Sequence, residues 1–418
     1  MIFVPFLTIL VLVVLFQRKY AVASKECLVF YGFVLAKFIA AVLVGLLYSH
    51  YYLIPGDTFT VFYQAREWYN LLVAGDISWQ QWIGLDTVDI EQLRMTLPNE
   101  PRTRFFAFIC SYLMPISLSN YYGVALWMTF FQIVSLWLLT RGLINKLCMP
   151  KGVIYMGLLF VPSVTFWSAG LLKETMMLSC MANIVTAYLY ASEPKQQRRW
   201  LYLFMIVFFT LILYQIKYYV VILMLPLGLL TYLFAEKRLF EFKSFKLRLS
   251  LFFVILILGT TAVAVIHPVF HSGLFFDLIK ISHDQIASRS ADSIINFNLI
   301  TDPFSFVLVN TPSALVAAFF RPFIWEAFSV LTWAIGLETF FFTGVLVCAI
   351  YSLFKERLAQ RQYWWLLAGL LYVLAAGLII TLSTPNFGSL VRYKVAYMPI
   401  CWLMCLWLVN KRFSVRKL

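Results

Sequence analysis

Apolar residues run through long stretches of the chain with few interruptions, and charged residues gather in short clusters between them. A membrane-crossing helix needs about 20 residues, each rising about 1.5 Å, to traverse about 30 Å of hydrocarbon. By that measure Gly152–Ala191, 40 residues whose charges are confined to Lys173 and Glu174, makes two crossings with its midpoint between Leu171 and Leu172. Trp200–Ala235, 36 residues, also makes two, and its midpoint falls at Lys217 in YQIKYY. Two charge-bearing tips are therefore expected on one side of the membrane. The whole pattern predicts eleven spans, roughly 2–16, 28–50, 120–140, 152–169, 172–191, 200–215, 219–235, 249–266, 335–354, 363–382 and 395–410. Ile2–Phe16 lacks the basic leader of a signal peptide, so it counts as a span.

Two connections are long, about 51–119 and 267–334. Stretches such as TFTVFYQAREWYNLLV and TRFFAFICSYLMPISL mix apolar residues with charges too closely for a span, and they suit helices lying in the membrane interface. The other connections are at most about a dozen residues, too short for a separate soluble domain of about 50 residues or more. One transmembrane domain over 1–418 is expected: an extra N-terminal span at 2–16, a seven-span module over 28–266 with its outer loop at 51–119, a second outer loop at 267–334, and C-terminal spans over 335–418.

Composition agrees with that pattern. Of 418 residues 62% are hydrophobic and 12% charged, and the mean hydropathy is +0.84, far from the mix of a soluble domain. With the N-terminus outside, the inner loops hold 21 of the 33 Lys and Arg but only 5 of the 19 acids. That bias sets the N-terminus outside and the C-terminus inside. The net charge of +14 is then a topology signal and excludes a nucleic-acid partner. No inner loop can house a nucleotide-binding domain, so any chemistry draws on a membrane-borne substrate or an ion gradient.

The seven cysteines lie mostly in apolar runs without CxxC pairs and read as small buried hydrophobes. His267 and His271 are four apart, but Pro268 spoils the regular turn that would aim both at one metal. A divalent metal therefore lacks a clear ligand set.

Lys173 and Glu174 are neighbours, about 100° apart on a helix, and cannot pair with each other; each needs water, a lipid head group or a partner from another segment. Either they face an outer cavity or they sit on a solvated turn with Lys173 reaching the head groups. Asp57 follows Pro55-Gly56 in YLIPGDTFTVFYQA, and it is either a carboxylate presented at the membrane surface or the cap of a helix starting near Thr58. Arg392, Tyr393 and Lys394 enter the last span on the face where cations are scarce. They suit phosphate binding, with head-group anchoring as the alternative. Arg321, before Pro322, poses the same choice, while Lys37 lies deep in the second span, where it is functional, snorkels or pairs inside the bundle.

In their order these features resemble the C-type (GT-C) membrane glycosyltransferases: PGD opening a long outer loop after a span, the hairpin PSVTFWSAGLLKE, a second long outer loop, and RYKVAYMP leading into a terminal span. The resemblance covers most of the chain. Such families often carry two acids where this chain has Asp57 followed by Thr58. The resemblance implies a GT-C-like all-α fold in a bacterial cytoplasmic membrane, and sugar transfer from a polyprenyl-phosphate donor to a glycan, lipid or protein acceptor on the outer face. Asp57 would take the acceptor proton, and Glu174 would bind acceptor hydroxyls, hold a divalent metal or orient Lys173. Lys173, Arg321, Arg392 and Lys394 would meet the donor phosphate, with Lys217 and Tyr393 as further candidates. An O-antigen or exopolysaccharide polymerase or ligase shares most of these features. A lipid-linked glycan flippase instead predicts ionisable residues at mid-membrane and broken spans.

Overall fold

The computed structural model describes residues 3–20, 24–51, 56–82, 100–192, 197–236, 244–266, 274–288, 294–326, 329–355 and 358–415. They are almost wholly helical. The main helices are α1 (Phe3–Tyr20), α2 (Ser24–Leu46), α3 (Asp57–Ala74), α4 (Pro101–Ser111), α5 (Tyr121–Leu147), α6 (Pro162–Trp167), α7 (Lys173–Ala191), α8 (Arg199–Thr231), α9 (Phe245–Ile266), α10 (Leu274–Ala287), α11 (Pro303–Phe320), α12 (Val330–Lys355), α13 (Gln360–Ser383), α14 (Phe387–Tyr393) and α15 (Met398–Val415).

Among the described residues six helices are long and apolar enough to cross a membrane: Glu26–His50, Tyr121–Leu147, Arg199–Ala235, Pro303–Phe320, Val330–Lys355 and Gln360–Ser383, with a shorter apolar helix at Met398–Lys411. The chain is an all-α, multi-pass membrane protein. Three details depart from the expected spans. The stretch 152–169 is not one helix: a helical turn ends at Leu159, and α6 begins only at Pro162. Proline lacks the N–H that would continue the ladder and keeps the residue before it out of helical geometry. Arg199–Ala235 is one helical run interrupted at Lys217, whose φ of −147° and ψ of 71° leave the helix. Finally, α11 lies where an outer loop was expected.

The chain forms two compact units. The first comprises residues 1–146, 165–191 and 197–218; the second comprises 147–164, 192–196 and 219–418.

In the first unit α5 and α7 are buried along most of their length. Lipid tails are as apolar as leucine, so helices in a bilayer are joined by close packing and polar contacts rather than by exclusion from water. Asn183 Nδ2 donates to Ser135 Oγ at 2.8 Å, and Gln132 Nε2 to the Thr175 carbonyl at 3.3 Å. The hydroxyls of Thr129, Ser135, Thr140, Ser179 and Thr186 donate to carbonyls one turn back, so they carry no unmet donor into the core. The two mixed stretches of the first long loop are helical, as α3 and α4. Trp68 of α3 and Phe108 of α4 pack with Trp82, which lies between the two helices, and with Tyr112, which follows α4.

In the second unit α13 packs against α10 and α11, and α15 against α12. The fully buried Asn310 explains how α11 tolerates a polar residue: its amide donates to the Asn298 carbonyl at 3.0 Å and accepts the Asn298 N–H at 2.8 Å. Tyr397 Oη donates to the Ala318 carbonyl at 2.9 Å and Tyr372 Oη to the Ala396 carbonyl at 3.0 Å, fixing the segment between α14 and α15 against α11 and α13.

Candidate functional site

In the first unit the turn joining α6 to α7 is buried. Ser168, Ala169 and Leu171 have no exposed surface and Leu172 has 2%. The expectation of a solvated turn is therefore corrected. Buried backbone needs internal partners, and Gly170 meets that need: it adopts φ +73°, and its N–H donates to Thr129 Oγ1 at 2.9 Å. A side chain would be strained there, because that φ suits glycine.

The turn delivers Lys173 and Glu174 as the first two residues of α7. An acid in a first helical turn is favoured by the helix dipole and a lysine is not, and each finds a counter-charge in another segment. Lys173 Nζ donates to Glu100 Oε2 at 3.0 Å and to Thr103 Oγ1 at 2.9 Å, and Thr103 Oγ1 donates to the same Glu100 oxygen at 2.5 Å. Burial raises the pKa of Glu100, but the Lys173 ammonium and the Thr103 hydroxyl outweigh it and hold the carboxyl below the usual range. Glu174, 1% exposed, lies 3.6 Å from Lys217 Nζ. Lys217 is the residue at which α8 breaks, and the ring of the next residue, Tyr218, lies 4.7 Å from the Arg102 guanidinium. Three distant pieces of chain thus bring Arg102, Lys173 and Lys217 together with Glu100 and Glu174.

Asp57 is the first residue of α3, and the cap position falls on Gly56, which corrects the expectation of Asp57 as the cap. A Cβ on Gly56 would stand 2.3 Å from the Tyr48 ring, so this glycine is required by close approach. Thr58, the next residue, is buried and shares a 2.8 Å hydrogen bond with Tyr121 Oη. The side chain of Asp57, like His267 and His271, lies outside the described residues.

In the second unit Arg321 leaves α11 in extended geometry. Its Nε donates to both oxygens of Glu326, at 2.9 and 3.1 Å, and its Nη2 also meets Oε1. The guanidinium lies 4.9 Å from the Phe387 ring centroid. Lys394 Nζ donates to the Arg321 carbonyl at 2.5 Å. Burial pushes the Lys394 pKa down to about 7, with Glu338 opposing and Arg321 reinforcing the shift. Glu338 accepts from Ser163 N at 2.7 Å and from Ser163 Oγ at 2.6 Å. Arg392 Nη2 donates to Tyr393 Oη at 3.0 Å. Arg392 and Lys394 are 7% and 6% exposed, which does not suit head-group anchoring, where cations stand in the wet interface.

The sequence-derived candidates therefore divide between the units: Asp57, Lys173, Glu174 and Lys217 in the first; Arg321, Arg392, Tyr393 and Lys394 in the second. The structure joins Glu174 to Lys217 and Lys394 to Arg321. Sequence reasoning missed Glu100, Thr103, Glu326 and Glu338. Glu326 had a local signal, five residues after Arg321, and Glu338 is the only charge in the apolar run of α12 before Lys355; Glu100 and Thr103 had none. Among the described residues no three of His, Cys, Asp and Glu stand together as a metal site would need.

No family model matches the chain, and no similar protein was found among curated proteins or solved structures.

Proposed function

We propose that the chain is a membrane glycosyltransferase that moves a sugar from a polyprenyl-phosphate carrier to an acceptor at the extracytoplasmic face, on a GT-C-like arrangement of about eleven spans. The observation that carries this reading is the meeting of Lys173 with Glu100 and Thr103 and of the buried Glu174 with Lys217 in the first unit. Glu174 is held at 1% exposure inside the bundle, and ionisable residues buried with partners in a membrane protein usually mark a working site.

In the proposed reaction an acceptor hydroxyl gives its proton to a carboxylate, Asp57 in our assignment, and its oxygen bonds to the sugar C1. The C1–O bond to the carrier phosphate breaks, and polyprenyl phosphate leaves with the bonding electrons. Lys173 stabilises that developing charge, as a fixed cation does best in a site that excludes water. Glu174 orients acceptor hydroxyls. Arg321, Arg392 and Lys394 are proposed phosphate-binding cations of the second unit; burial fits Arg392 and Lys394 for ligands better than for lipid anchoring, and Arg321 offers a planar fork of donors.

Mass spectrometry of lipid-linked and surface glycans, from cells with and without the protein, tests the reading. Loss of one sugar from an otherwise intact glycan supports it. Loss of chain length alone points to a polymerase or ligase, and accumulation of complete lipid-linked glycan with no missing sugar points to a flippase; either result rejects it.

A further inference from the structure

Lys37 sits within α2 at 1% exposure, far too buried for a snorkelling side chain. An ammonium has three donors. Here all three have acceptors: Ser168 Oγ at 2.7 Å, the Ser168 carbonyl at 3.2 Å and the Thr165 carbonyl at 3.2 Å. These carbonyls belong to the C-terminal end of α6 and the residue after it, where a helix runs out of internal partners for its C=O groups. The turn is buried in protein, so such carbonyls must find their partners there. A cation is also the favoured charge at a helix C-terminus.

The other side of the same turn is tied separately. The Gly170 N–H is held by Thr129, and the Thr175 carbonyl accepts from Gln132. Gly170 packs against α2, where a Cβ would come within van der Waals contact of the Ala41 carbonyl oxygen at 3.4 Å, one turn along from Lys37. The five residues between α6 and Lys173 thus hang between an ammonium on α2 and Thr129 on α5, with Gln132 of α5 holding the first turn of α7 just beyond them.

We infer that Lys37 is a positioning residue: it anchors the α6–α7 turn and thereby sets where Lys173 and Glu174 meet Glu100 and Lys217. Its consequence for turnover rests on the transferase reading; the anchoring does not. Lys37 touches neither Lys173 nor Glu174, so it acts through the backbone of the turn.

Two readouts on the full chain in proteoliposomes test this. The first is thiol labelling at Ala169→Cys, a position without exposed surface. It uses a membrane-permeant methanethiosulfonate, and the peptide carrying residue 169 is quantified by mass spectrometry. With Lys37 intact the thiol stays unlabelled; Lys37→Met raises the labelling rate by about tenfold or more, because local opening exposes the turn. Lys37→Arg restores protection, since a guanidinium can still donate to the same carbonyls. Ser168→Ala, which removes a single acceptor, gives a smaller rise. The second readout is transfer kinetics, in which Lys37→Met lowers kcat by about tenfold or more with the donor KM within about threefold.

Unchanged labelling in both Lys37→Met and Ser168→Ala overturns the anchoring. Raised labelling with unchanged kcat overturns the positioning role, as does a loss carried by KM alone. If labelling follows Lys37 while the unsubstituted chain transfers no sugar, the anchoring stands and the transferase reading falls.

Discussion

In the first unit Lys173 is met by a carboxylate 73 positions earlier and Glu174 by an ammonium 43 positions later, whereas in the second Arg321 meets Glu326 only five positions on. The long-range pairs tie separate segments into one site and exist only once the fold has formed. The Arg321–Glu326 fork is complete within its own loop, with Phe323 N also donating to Glu326 at 2.9 Å. A buried charge whose partner comes from afar depends on several segments at once, so its loss should be felt more widely than the loss of a local pair, whereas an exposed long-range partner is screened by water.

The largest expected effect is therefore at Lys217. Lys217→Met leaves Glu174 buried without that ammonium, and removing one partner of a buried pair costs about 3–5 kcal/mol. Denaturant unfolding in detergent should show that loss, and the double variant Lys217→Met/Glu174→Gln should recover much of it. Full additivity of the two substitutions would break the pairing.

Next comes a pH dependence in the second unit. With the pKa of Lys394 near 7, the ammonium is present below that pH and lost above it. If its charge holds donor phosphate, the donor KM rises several-fold as pH climbs from about 6 to about 8, and Lys394→Arg removes the slope because arginine stays charged. The depressed pKa also means that protonation penalises the folded state, so Lys394 lowers stability below pH 7 and the chain gains stability as pH rises through that value toward the ordinary lysine pKa. A donor KM flat in the parent chain would detach Lys394 from the phosphate.

The local fork should yield less. Arg321→Lys keeps the charge but not the planar donors and is expected to cost about 1–2 kcal/mol. The smallest effect is at Glu100, whose side chain is half exposed: Glu100→Gln should cost under about 1 kcal/mol and be blunted further by salt. A larger loss at Glu100 than at Lys217 would reverse the ranking of the two first-unit pairs.

Much of this architecture was legible in the chain because span length is set by bilayer thickness. Halving Trp200–Ala235 placed a turn at Lys217, and the helix leaves its regular geometry at that residue. The need of Lys173 and Glu174 for separate partners also followed from helix geometry alone. Other features were hidden by tertiary pairing. The segment that forms α11 lay within the expected outer loop 267–334, and it carries Asn310, Pro303 and Pro312; Asn298 satisfies the Asn310 amide, so its polarity costs little in the fold. Glu100 sits in a polar stretch, and nothing near it in sequence marks it as the partner of Lys173. The break before α6 had a visible sign in Val161-Pro162, outweighed by the apolar run around it.

The central claim, transfer from a phosphate-linked lipid donor at the Lys173–Glu174 site, is tested most directly by following a radiolabelled polyprenyl-phosphate sugar with the purified chain in proteoliposomes. The account predicts that the label leaves the carrier, that polyprenyl phosphate accumulates in equal amount, and that both stop in Lys173→Met and Glu174→Gln chains that remain folded. A labelled lipid that stays chemically intact with every acceptor offered, or transfer that continues unchanged in both variants, would contradict it.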